Sequence, residues 1–170
     1  MKEILAICVL VLAWCSTASA QFPKQVKVLD VKINSTTSVK GDLSEGQFVD
    51  LRFGMRGSVG CFTEAEKTRY DGKHRFYAFK VPANAKVLVE MNTGSDMSLY
   101  GYMITTDRFD IPPYLENVSK SGCTASAQPM GSLERIMLKA GSSPMHVVVA
   151  VTGVESNESG EFNLKVTTRQ

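Results

Sequence analysis

Two histidines, His74 and His146, are the only imidazoles in the chain. Acid–base catalysis near neutral pH runs most often through a histidine. Neither has a serine, cysteine or carboxylate beside it in a recognised pattern, and each lies inside a strand-like run, His74-Arg75-Phe76-Tyr77 and His146-Val147-Val148-Val149. The sequence contains no G-x-S-x-G, no H-E-x-x-H and no phosphate-cradling glycine loop. A site assembled from distant positions, as in a small hydrolase, is the one catalytic route left open. The inventory favours a protein that is not an enzyme and that needs no cofactor.

Metal chemistry fares no better. Asp71, Asp96, Asp107 and Asp110 fall where strands should end, and clustered carboxylates could supply oxygen ligands to calcium. Turn aspartates more commonly accept hydrogen bonds from local backbone N–H groups, so no metal site is expected. Cys8 and Cys15 fall within residues 1–20, read below as a cleaved leader, which leaves Cys61 and Cys123. With no C-x-x-C spacing and no nearby histidine, a reactive thiol or half a metal site is disfavoured, and a disulfide is expected. Tyr100, Tyr102, Phe109 and Tyr114 concentrate aromatic surface around Pro112-Pro113. If some face outward they form a candidate partner-binding patch on a stiffened loop; otherwise they fill a core. Asn34, Asn117 and Asn157 begin formal N-glycosylation sequons, which carry meaning only in a eukaryotic host.

The elements that must position these residues begin after a leader. Lys2 precedes an unbroken apolar run from Ile4 to Trp14, and Ala18-Ser19-Ala20 has the small-x-small form of a signal-peptidase site. The run is short of the ~20 residues that span a bilayer, so residues 1–20 are assigned as a cleaved signal peptide and no membrane span is expected. Trp14 before Cys15 argues against a lipoprotein site, which wants a small residue there. The chain then belongs outside the cytoplasm, secreted or periplasmic. Its net charge of +2 is spread among mixed acidic and basic residues, unlike the footprint of a nucleic-acid or anionic-membrane binder.

Beyond the leader a period of two dominates, the mark of strands with one buried face. Val49, Leu51, Phe53 and Met55 alternate with Phe48, Asp50, Arg52 and Gly54, as do Tyr77, Phe79 and Val81 with Phe76, Ala78 and Lys80. Val87, Val89 and Met91 alternate with Leu88 and Glu90, and most cleanly Phe162, Leu164 and Val166 with Glu161, Asn163 and Lys165. His146 to Val151 is uniformly apolar and predicts a central strand buried on both faces. Val26 to Ile33, Met97 to Thr105 and Arg135 to Lys139 are further strands. Lys40-Gly41-Asp42, Asp71-Gly72, the stretches 92–96 and 140–144, and Glu155 to Gly160 predict turns. One helical turn is expected near Thr63 to Lys67. Many short strands between such turns predict an all-β fold, a single jelly-roll-like β-sandwich with one disulfide. The segments joined by Pro82-Ala83-Asn84-Ala85 form a hairpin or two strands of opposite sheets.

Four motifs in order resemble the bacterial pre-peptidase C-terminal domain. These are Gly41-Asp42-Leu43; Tyr77, Phe79, Val81, Pro82 and Ala83; Asp96, Leu99 and Tyr100; and Ser159, Gly160, Phe162, Leu164 and Val166. The resemblance covers residues 38–168, leaving 21–37 as an N-terminal strand or arm. It implies a compact jelly roll of the kind appended to secreted peptidases, in some collagenases acting as a substrate-binding module. The chain departs from that pattern in having no peptidase domain attached, Ser98 where relatives often carry a second aspartate, and a Cys-bracketed insertion through Ile111-Pro112-Pro113-Tyr114. The expected function is a non-enzymatic binding or accessory domain with a protein or polysaccharide ligand and no nucleic acid. The alternatives are a structural, envelope-associated protein and the dispersed-site hydrolase.

Overall fold

A computed structural model of the chain describes residues 22–52, 61–105 and 123–170. The strands in chain order are β1 (Val26–Val28), β2 (Thr36–Asp42), β3 (His74–Val81), β4 (Lys86–Thr93), β5 (Met97–Ile104), β6 (Thr124–Ser126), β7 (Glu134–Lys139), β8 (Met145–Gly153) and β9 (Glu161–Arg169). They form a five-stranded sheet in the order β1-β3-β8-β5-β6 and a four-stranded sheet in the order β2-β9-β4-β7. Strands β2 to β9 thus give two packed groups of four in the order of a jelly roll, and β1 adds to the edge, parallel to β3. The fold is the all-β sandwich that the alternation predicts. Residues 22–37 of the expected N-terminal arm are integral to it, since they supply β1 and the start of β2.

The alternating residues meet between the sheets. Tyr77, Phe79, Val87, Val89, Phe162, Leu164 and Val166 share one buried core with Met91, Val147 and Val149. The turn at Pro82 to Ala85 carries the chain from β3 to β4 in opposite sheets, with Asn84 at φ 61°. Strand β8 is buried along its whole length at the centre of its sheet.

Burial on both faces of β8 requires a second layer, and a second core fills it. Phe76, Ala78, Tyr100, Tyr102, Ile104, Val148 and Ala150 point outward from the five-stranded sheet and are covered by Leu51, Phe62 and Tyr70. The cover is a 3-10 helix, Glu64–Tyr70, longer than the single expected turn. It is fastened in three places. Arg69 Nη2 donates to the Gln128 carbonyl at 3.0 Å, Thr152 Oγ1 donates to the Tyr70 carbonyl at 3.2 Å, and the disulfide Cys61–Cys123 ties its approach to β6 with Cα atoms 5.0 Å apart.

Two local expectations need correction. Residues 48–52 form no strand, and 53–55 lie outside the described residues. The Asp50 carboxylate accepts from the Arg52 backbone N–H at 3.0 Å and pairs with its guanidinium, a local bond that competes with a ladder. Lys40-Gly41-Asp42 is not a turn but the end of β2. Gly41 is there because a methyl group would overlap the Tyr77 hydroxyl and the Phe162 ring. Asp42 then starts a short 3-10 turn, Leu43–Glu45, accepting from the Ser44 N–H at 2.7 Å.

Candidate functional site

The jelly roll offers two kinds of face, one covered and one open. On the covered face, register places His74, Thr152 and Ser98 side by side across β3, β8 and β5. His74 is 1% exposed, and neither ring nitrogen has a hydrogen-bond partner. Burial pushes its pKa down to about 4, opposed only in part by the nearby Gly72 backbone, whose approach to the ring falls short of hydrogen-bond geometry, and by the Asp71 carboxylate. The imidazole is therefore neutral across the physiological range. Its ring meets Tyr100 edge-on at 5.7 Å, and Tyr100 stacks on Tyr102 at 6.5 Å. Burial raises the pKa of both tyrosines well above the usual phenol value.

This placement corrects the expected aromatic patch. Tyr100 and Tyr102 are both 0% exposed. They face outward from their sheet, as the patch required, but the cover lies over them and seals them from any partner. Phe109 and Tyr114 lie outside the described residues. Of the turn aspartates, Asp71 pairs with Lys67 at 2.7 Å and Asp96 lies 3.8 Å from Arg69, while Asp107 and Asp110 lie outside the described residues. No three His, Cys, Asp or Glu side chains gather at one point among the described residues. His146 lies far from His74 along β8, opposite Lys80 and Ile104.

The open face is the outer side of the four-stranded sheet, built from the phases of β2, β9, β4 and β7 that the core leaves over. Met137 stands directly opposite Leu88, and Leu88 opposite Thr167. Met137 is 68% exposed and Leu133, just before β7, is 47% exposed. Between these two on the same side of the strand, Arg135 binds Glu90 at 2.7 Å, and Lys165 flanks Glu90 on its other side. Ser38, Glu90, Asn92, Leu133, Asn163 and Lys165 border a shallow depression of about 310 Å³. Sequence reasoning missed this face. The signal was present, since Met137 breaks the polar phase of β7, but only cross-strand pairing sets it beside Leu88.

No family model matches the chain, and no curated protein matches it. Among solved structures, the chain is similar to periplasmic inhibitors of g-type lysozyme. The one from Salmonella Typhimurium is 10% identical with a TM-score of 0.43, and the likeness covers 84% of this chain and 96% of that one. The one from Aeromonas hydrophila is 12% identical with a TM-score of 0.40 over the same shares. A surface-associated copper-binding protein important in copper acquisition by Methylomicrobium album BG8 is similar at 9% identity and a TM-score of 0.40, again over 84% of this chain and 96% of that one.

Proposed function

We propose that the chain is a secreted or periplasmic, non-enzymatic binding domain that docks a protein on the open face of its four-stranded sheet. The observation that carries the reading is Met137, 68% exposed at the edge of that face, directly opposite Leu88 and near the Leu133-lined depression. Exposed apolar side chains beside the Arg135–Glu90 ion pair and polar neighbours match the apolar centre and polar rim of a protein interface. A polysaccharide would more naturally stack on exposed rings, and the outer positions of β2, β9, β4 and β7 carry none. The non-enzymatic reading is supported by His74, since a general base must reach the proton it abstracts and this imidazole is sealed without a hydrogen-bond partner. An oxidising compartment is supported by the Cys61–Cys123 disulfide together with the signal-like leader. Kinship with the pre-peptidase C-terminal domain belongs to the same proposal. The jelly-roll order agrees with it, although most of its motif residues here are core positions of β3, β5 and β9.

The test is a photo-cross-linker at position 92, exposed beside the depression and untouched by the variant below, in residues 21–170, used to capture the partner from secreted or envelope extract. The variant carrying Leu133→Glu and Met137→Glu changes only exposed side chains, so its stability should stay within about 0.5 kcal/mol of the parent. It should lose the cross-linked partner. A partner bound equally well by parent and folded variant overturns the reading.

A further inference from the structure

At one end of the same face, Lys139 of β7, Lys86 of β4 and Arg169 of β9 stand directly opposite one another across three adjacent strands. All three are exposed. None has an ion-pair partner among the described residues, and the next row, Met137, Leu88 and Thr167, brings no carboxylate to them. Neighbouring strands lie only about 4.8 Å apart, and like charges directly opposite each other destabilise a sheet. The same face shows the stabilising alternative at Glu90, which stands between Arg135 and Lys165. Lys86 occupies the equivalent middle position with the opposite sign. With Lys40, Arg135 and Lys165, the face carries six cations against three carboxylates, Asp42, Glu90 and Glu161, in a chain whose net charge is only +2.

We infer that the Lys139–Lys86–Arg169 row is the charge-recognition element of the docking face, and that the protein it receives presents an acidic strand or loop across β7, β4 and β9. The inference rests on the reading of this face as the docking surface. Carboxylates of the partner relieve the like-charge opposition on binding, so the row is less stable alone and complementary when covered. The mixed signs further along the face select among polyanions. A nucleic acid or sulfated glycan laid along it would meet Glu90 and Glu161 with its own negative charge and would offer little to Met137 and Leu88. A folded protein can match an acidic end, an apolar middle and an alternating-charge row together.

Lys86→Glu is the deciding variant, because stability and binding should move in opposite directions. The new carboxylate stands between Lys139 and Arg169, so the denaturation midpoint should hold or rise. Binding of the cross-linked partner at low salt should weaken roughly tenfold or more, and its salt dependence should flatten. Immobilised residues 21–170 should retain poly-L-glutamate at low salt, and the variant should not. Lys80→Glu, on β3 of the other sheet, should change neither result. If Lys86→Glu fails to fold, Lys86→Gln carries the same test. Undiminished capture by the folded variant overturns the inference, and if Leu133→Glu/Met137→Glu still abolishes capture, the docking reading survives that result. Capture lost by neither variant removes both. Retention of heparin or duplex DNA in place of poly-L-glutamate overturns the assignment of an acidic protein.

Discussion

At His74 the fold holds an imidazole among Phe76 and Tyr100, shut from water and without a hydrogen bond at either ring nitrogen. The unfolded chain takes up a proton near pH 6.5, whereas the folded chain resists until about 4. The stability due to the neutral ring is therefore whole above the unfolded value and is lost as pH falls between the two, by about 3 kcal/mol. Urea denaturation from pH 7 to pH 4 should show that loss, and His74→Phe should flatten it; an equally steep profile in the variant would place the titrating group elsewhere. Gly41 makes a different demand. Gly41→Ala should destabilise by about 1–3 kcal/mol through overpacking against Tyr77 and Phe162, and an unchanged midpoint would show that β2 can shift away. The alternation of Tyr77, Phe79 and Val81 announced their shared core from the sequence alone. Gly41 looked like a turn, because a glycine excluded by close packing and a glycine chosen for its φ are the same letter.

Among the elements, the cover over the five-stranded sheet was the hardest to foresee. Val49 and Leu51 alternate as a strand would, yet they serve as a lid whose apolar side faces Phe76 and Tyr100. A period of two states which side is buried, not whether a neighbouring strand exists to pair with. The uniformly apolar run of β8 was the clue that such a lid must exist. The pairing of Cys61 with Cys123 was legible by count and compartment. The two are 62 residues apart, so replacing both with serine should cost up to about 4 kcal/mol in the chain-entropy account. Denaturant midpoints of the parent and the double variant would measure it. Thiol titration of denatured, unreduced residues 21–170 should find no free thiol, and two free thiols would contradict the bond.

For the molecule as a whole, the class of fold was written in the alternation, but the docking face was not. Lys86, Lys139 and Arg169 are ordinary exposed cations one by one and become a row only through the registers of β4 with β7 and β9. Register depends on pairings between distant segments, which no local pattern encodes. The same distance governs assembly. Strand β9 lies between β2 and β4 and holds the four-stranded sheet together, so a chain ending at Gly160 should show no cooperative unfolding transition. A sharp transition in that truncation would mean the remaining strands suffice. The position of β9 also sets an order of events during synthesis. As the chain emerges N-terminus first, from synthesis or from export, β2 is among the earliest of the described strands and its partner follows all the others, so the sandwich cannot close until β9 is free. Through that interval β2 is exposed as Thr36-Thr37-Ser38-Val39-Lys40-Gly41-Asp42, hydroxyl-rich and charged, with a single branched apolar side chain. A segment of that composition is a poor template for aggregation, and it lets the nascent chain wait in solution for the one strand that completes it.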